Sequence, residues 1–327
     1  MKLRRPPVTI GLLLSMAVLL AGAVQARDTG RVFVSSEKDN ALTVVDAARA
    51  EVTGAVAICK RPRHLQLNAD RSRLYVACSD GNHIAVWDIA SGKVVDKLDV
   101  GKDPEMFDIS PDGRMLYASN EEDSALTGYD LVARKKLFEV KVGGEPEGVK
   151  VSADGKTVYV TSEVASMVHV IDVASRKITK SISVGKRPRR FLLTPTQLWV
   201  TNELGASVSL IGLADNAVQG TIEFRPPGMR AEDVTPVGMA LAGDGKTAYV
   251  GLGRANHVAV VDVATRQVRG YVLVGKRAWG LGLSRDGKRL YVANGLSDDL
   301  TIIDTATMKA LKTVKAGRSP HSVAIDD

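Results

Sequence analysis

Arg63, Glu105, Glu147, Arg189, Val237, Trp279 and His321 each follow one recurring slot, filled by Pro62, Pro104, Pro146, Pro188, Pro236, Ala278 and Pro320. Guanidinium, carboxylate, indole and imidazole therefore exchange at a single equivalent position, a variety that no shared structural role demands. Several chemistries fit. Arg63 and Arg189 can act as forked donors to a carboxylate or phosphate. Trp279 offers either a flat stacking surface for a planar ligand or plain channel packing. Glu105, Glu147 and His321, with the two arginines, offer an acid, a base and oxyanion donors for a hydrolase, although no nucleophile motif accompanies them. Both glutamates are flanked by arginines and are expected to have depressed pKa values, which suits ion pairs better than general acids.

The two residues before the slot add Arg61, Arg187 and Arg277 together with several lysines. With Arg190, this band holds eleven cations against four acids. It reads either as a solvated basic rim or as a funnel for a small anion. A second set, Glu37, Glu121, Glu163 and Glu203, shares another position and is expected to pair with loop arginines of neighbouring repeats. Calcium is the weaker reading of these carboxylates, because it needs six to eight oxygens at one site. His64 and His321 are expected to lie close together, and with Glu105 they would make a metal or acid–base site. No motif with metal spacing occurs, so no metal is assigned. Cys59 and Cys78 are either a disulfide, if their Cα atoms come within about 7 Å, or two independent buried thiols.

The elements that must position these groups repeat. An aromatic followed by a small apolar residue recurs at Phe33, Tyr75, Tyr117, Tyr159, Trp199, Tyr249 and Tyr291, in steps of 42, 42, 42, 40, 50 and 42 residues. A period in the low forties with alternating apolar and β-branched residues predicts an all-β, seven-bladed β-propeller with four antiparallel strands per blade. One repeat reads as strands over 106–109, 115–119, 125–129 and 136–142. The third strand ends in aspartate in six repeats, at Asp46, Asp88, Asp130, Asp172, Asp262 and Asp304, and these are expected to cap turns. The chain begins with a second strand (31–35) and ends with a first strand (322–325), so the C-terminal strand should close the N-terminal blade and leave no inner edge. The 50-residue step holds eight extra residues, with Arg225, Met229 and Arg230 in a candidate lid.

Residues 1–26 read as a secretory signal peptide: Lys2, Arg4 and Arg5, then an apolar run over 8–20 too short to span a bilayer, then a small-residue cleavage site. The expected product is one propeller domain over 27–327, exported to the bacterial periplasm, with no membrane span. Removing the leader takes away three cations and no acids, so the net charge falls from +7 to +4. That modest excess does not by itself imply nucleic acid, and export argues against it. Export permits a disulfide, and the absence of CxxCH excludes covalent c-type haem.

The repeated strings Tyr159 to Ser162 with Val170 to Asp172, and Tyr291 to Asn294 with Ile302 to Asp304, resemble the YVTN family of β-propeller repeats. The segments 103–107, 145–148 and 226–238 are similar to the periplasmic propellers associated with PQQ-dependent alcohol catabolism. That resemblance implies a non-catalytic binding or accessory role, with PQQ a possible ligand and a quinoprotein dehydrogenase or transporter component a possible partner. PQQ is a planar tricarboxylate, compatible with a basic rim and Trp279. Lactonases built on related repeats give the alternative, a hydrolase using Glu105, Glu147 and His321. Binding of d1 haem is the third class, for which no convincing axial histidine is present.

Overall fold

The computed structural model describes Met1 and residues 28–327; the signal-peptide reading falls outside the described residues. Twenty-eight strands form seven four-stranded antiparallel sheets. Blade I combines Pro320–Asp326 with Arg31–Ser36, Ala41–Asp46 and Glu51–Ala57. Arg31 pairs with Asp326 and Phe33 with Ala324, so the C-terminal strand is the inner strand of the first blade. Blades II to VII start at Pro62, Pro104, Pro146, Pro188, Met239 and Ala278. The strands predicted for blade III lie within one or two residues of those observed, Pro104–Ile109, Met115–Asn120, Ala125–Asp130 and Lys135–Lys141. Among the described residues no helix is long and apolar enough to cross a membrane.

The aromatic markers explain why the sheets stack as blades. The core divides into seven apolar clusters, one between each pair of neighbours. Phe33 of blade I packs with Leu74 and Val76 of blade II, Tyr117 of blade III with Val158 of blade IV, and Trp199 of blade V with Ala248 and Val250 of blade VI. Trp199 is fully buried, and truncating such a residue costs about 3–5 kcal/mol. All six aspartates at the ends of third strands accept a turn N–H: Asp46 from Arg49, Asp88 from Ser91, Asp130 from Ala133, Asp172 from Ser175, Asp262 from Thr265 and Asp304 from Thr307.

Two departures have local causes. In blade V the shortened hairpin replaces an Asp-Gly turn with Thr194, whose hydroxyl accepts the Gln197 N–H at 3.0 Å. In blade VI the inner strand is reduced to Met239–Leu241, and the inserted segment ahead of it carries one short turn of 3-10 helix, Ala231–Asp233.

Candidate functional site

A repeated backbone device aims the slot residues at the ring axis. The residue before the slot adopts the left-handed region in six blades: Arg61 (φ 50), Asp103 (51), Glu145 (50), Arg187 (54), Arg277 (62) and Ser319 (51). This conformation is costly for residues other than glycine, so something must hold it. The N–H groups of Arg61, Asp103 and Arg277 donate to the side chains of Asn40, Asn82 and Asn256 at 2.8–2.9 Å. Immediately after the slot the pairing of inner and second strands slips, between Pro62 and Leu65, Pro104 and Phe107, Pro146 and Val149, Pro188 and Phe191, and Ala278 and Leu281. Such bulges free two residues from the ladder and re-aim their side chains. The carbonyl after the slot is then pinned from the preceding blade. Ser35 donates to Arg63 O, Ser119 to Glu147 O, Thr161 to Arg189 O and Thr201 to Val237 O, at 2.6–3.3 Å. The hydroxyl two residues after the aromatic marker was the signal for this, and it was not read from the sequence.

The slot residues meet in one buried charged layer across the channel. Arg63 bonds Glu105 and lies 3.4 Å from Glu37 and 3.7 Å from Glu147. Arg189 bonds Glu163 and lies 3.6 Å from both Glu147 and Glu203. Arg190 reaches Glu147 at 3.1 Å. Arg63, Glu105, Glu147, Arg189 and His321 are at most 6% exposed. The two arginines expected to be forked ligand donors are thus engaged by glutamates, because the second glutamate set folds in between them. Arg187 pairs with Glu163 at 2.7 Å and Glu203 at 3.1 Å, as expected of that set. Glu121 departs from it: among the described residues it has no arginine at ion-pair distance and lies beside other carboxyls instead. Asp103, Glu105 and Glu121 bring oxygens within 4.8 Å of one another, beside Arg61 and Arg63.

The electrostatics separate the two central carboxyls. Burial would raise Glu147, but Arg189, Arg190 and Arg63 outweigh it and hold it at about 2. Glu105 goes the other way. Burial raises it well above the carboxylate range despite Arg63, and the Glu147 charge adds to the rise. The expectation of two depressed pKa values therefore holds for Glu147 and fails for Glu105, where burial together with the Glu147 charge outweighs Arg63. Burial also lifts Glu163 to about 7, against the pull of Arg189.

Trp279 is 7% exposed, and the Arg277 and Arg189 guanidiniums lie 4.2 and 5.0 Å from its ring centroid. Its faces carry arginines, so the packing alternative describes it and an open stacking platform does not. His64 and His321 both border the channel below this layer. Among the described residues the one group with metal-ligating geometry is carboxylate only, so these histidines form no such set with Glu105. Above the layer the loop face opens as a funnel of about 380 Å³, bordered by Arg61, Arg187, Arg277 and Trp279. Arg61 is held by Asp80, Asp103 and Glu105 at 3.5–3.6 Å. Arg277 has no carboxylate at ion-pair distance among the described residues.

The candidate lid does not border this funnel. Arg225 bonds Glu223 of its own blade at 2.6 Å, and Arg230 bonds Asp233 at 2.9 Å and Glu232 at 3.3 Å. Phe224 and Val234 anchor the segment by burial, and Met229 is left exposed over a separate groove. Cys59 and Cys78 are joined in a disulfide with Cα atoms 5.7 Å apart, tying blade I's outer strand exit to blade II.

Known proteins agree with this architecture. A family model for YNCE-like β-propellers matches residues 105–195. The structure superposes on Kuenenia stuttgartiensis hydrazine synthase with a TM-score of 0.76 at 25% identity, covering 90% of this chain and 99% of that one. The chain is a β-propeller. It is also similar to the Pseudomonas aeruginosa periplasmic gluconolactonase (TM-score 0.77, 20% identity, 90% and 98% covered). A functionally unknown protein of Desulfotomaculum acetoxidans matches at TM-score 0.78 and 15% identity, with 91% and 99% covered. No curated protein matches the propeller's sequence.

Proposed function

We propose that the protein is an exported, periplasmic binding propeller that captures a small organic anion in its loop-face funnel, in the service of PQQ-dependent alcohol oxidation. The observation that carries this reading is Arg277: it lies on the funnel wall, half-buried over Trp279, with no carboxylate at ion-pair distance among the described residues. A guanidinium so placed is already ordered by its stacking contact and keeps its fork for a ligand. Arg187, with a side chain 41% exposed, stands on the same wall. A funnel of about 380 Å³ falls in the size range of small-molecule sites, and PQQ, a planar tricarboxylate, is the ligand that the resemblance suggests. Partners consistent with this reading are a quinoprotein dehydrogenase or a transporter component. The test is calorimetric titration with PQQ and with citrate as a non-planar tricarboxylate. One-site binding of PQQ that weakens in Arg277→Ala and with salt supports the reading; no binding of either compound overturns it.

A second reading rests on the proton asymmetry. Glu105 is shifted up and Glu147 down within one layer, and proton affinities pushed apart in this way are what an acid–base pair in a lactone hydrolase needs. Glu105 is fully buried and does not border the funnel, and Glu147 borders it with only 2% exposure, which favours binding over turnover. Lactone hydrolysis lost in Glu147→Gln would reverse that order.

A further inference from the structure

The ring carries its own comparison for Arg277. At the crossing from blade IV to blade V, Arg187 lies 2.7 Å from Glu163 and 3.1 Å from Glu203. These glutamates hold one position, four residues after the aromatic marker, in the two blades that flank the crossing. Arg277 stands at the crossing from blade VI to blade VII on the same backbone. Its φ is 62 against 54 for Arg187. Its carbonyl accepts the Gly295 N–H at 3.0 Å, as that of Arg187 accepts the Glu203 N–H at 2.9 Å. The residues equivalent to Glu163 and Glu203 are here Gly253 and Gly295. Arg61, the third crossing arginine, is flanked by Glu37 and Ser79 and takes its anions from Asp80, Asp103 and Glu105 instead.

The two glycines differ in the room they leave. Gly253 has φ +48, and a Cβ there would lie 2.1 Å from Thr235 Oγ1, so that side of Arg277 is closed. Gly295 lies outside the left-handed region. Its Cβ would meet nothing closer than Pro320 O at 3.5 Å, with Arg277 Cδ at 4.0 Å, so that side is open. Arg277, Trp279, Gly295 and Leu296 all border the funnel, and Leu296 is 62% exposed there. Three carboxylates border it too, Glu37, Glu121 and Glu147, but none is at ion-pair distance from Arg277. Burial first, with the charges of Arg189 and Arg254, lowers the proton affinity of Arg277 against the opposite pull of Glu203 and Glu37. That direction marks a cation whose burial is not fully compensated.

We infer that the wedge between blades VI and VII is a carboxylate subsite of the funnel, in which one carboxylate of the ligand replaces the glutamate that the fold supplies at Glu203 and omits at Gly295. The inference rests on the reading of the funnel as an anion site and defines the ligand class further. One carboxylate meets the Arg277 fork, whose stacking on Trp279 at 4.2 Å orders it. The body of the ligand lies on the Leu296 side, which suits an aromatic carboxylate.

The test builds the missing group into the protein. Gly295→Glu supplies a carboxylate from the chain itself, and Gly295→Gln is the uncharged control of the same size. Melting without any ligand is the first readout. Gly295→Glu is expected to melt above both the wild type and Gly295→Gln, and to lose that gain when Arg277→Ala is added. A gain shared by Gly295→Gln, or one that survives Arg277→Ala, would overturn the inference. Calorimetry with PQQ, and with benzoate as a small aromatic monocarboxylate, is the second. Gly295→Glu should bind both at least tenfold more weakly than the wild type, the loss expected for a hydrogen bond to a charged group. Wild-type binding that Arg277→Ala weakens and Gly295→Glu leaves unchanged would overturn the subsite while the funnel reading stands. No binding of either compound to the wild type would overturn both.

Discussion

Glu147→Gln should destabilise the propeller far more than Glu105→Gln, although both side chains lie in the same buried layer. Glu147 faces Arg190 at 3.1 Å, Arg189 at 3.6 Å and Arg63 at 3.7 Å. Removing its charge leaves buried guanidiniums without compensation, and breaking such a set by deleting one partner costs about 3–5 kcal/mol. The proton affinity gives a second route to the magnitude. The fold holds Glu147 at about 2 against an ordinary 4.5, and about 2.5 units at 1.36 kcal/mol each is about 3 kcal/mol. Burial pushes the Glu105 carboxyl well above the carboxylate range, so a neutral glutamine of the same shape disturbs the layer less there. The expected loss there is a single rearranged hydrogen bond, about 1 kcal/mol. Urea unfolding at pH 7, with equal m-values across the wild type and both variants, measures the difference. Equal losses, or a larger loss in Glu105→Gln, would refute the opposite directions in which the layer shifts the two carboxyls.

Glu163 makes the stability depend on pH in an unusual direction. Its folded pKa, about 7, exceeds its ordinary value of 4.5, so the folded state binds more protons across that window and this residue's contribution falls as pH rises from about 4.5 to 7. Glu163→Gln should flatten the unfolding free energy over that window; an unchanged slope would contradict it. Glu147, with its folded pKa depressed, stabilises above about 4.5 and loses its contribution as pH falls towards 2. Replacing Cys59 and Cys78 by alanine together opens a bridge between residues 19 apart and should cost about 3 kcal/mol by denaturant unfolding; a loss below the error of the fit would count against a native disulfide. Gly148→Ala would place a Cβ 2.1 Å from Arg189 O, and overpacking of this kind costs about 1–3 kcal/mol. Thermal melting should show that loss, whereas alanine at Gly54, where a Cβ meets nothing within 4 Å, serves as the tolerant control.

The ring was legible because its signals are local and repeated. An aromatic every 42 residues, a proline at the crossing and an aspartate at the third turn each have one physical use, and repetition removes the ambiguity of any single copy. The charged layer was legible in composition but not in pairing. Arg63 and Glu105 are 42 residues apart in sequence, and nothing local shows that Glu37, Glu163 and Glu203 reach across blades to engage the arginines. The anion funnel therefore shifts from Arg63 and Arg189 to Arg277, whose distinction is a missing partner. Absence of a partner is a property of the assembled ring. Glu105 differs for a related reason: flanking arginines argue for a carboxylate, whereas full burial and the charge of Glu147 decide. The inserted segment of blade VI looked like a lid by position, yet Phe224 and Val234 tie it down and Asp233 holds Arg230 within it.

The most direct test of the central claim is a crystal structure of the protein grown with PQQ. The expected result is the planar tricarboxylate seated in the loop-face funnel, with a carboxylate on the Arg277 guanidinium and the Arg63–Glu105 and Arg189–Glu163 pairs undisturbed beneath it. A funnel that stays empty at saturating PQQ, or a ligand bound away from Arg277, would contradict the claim.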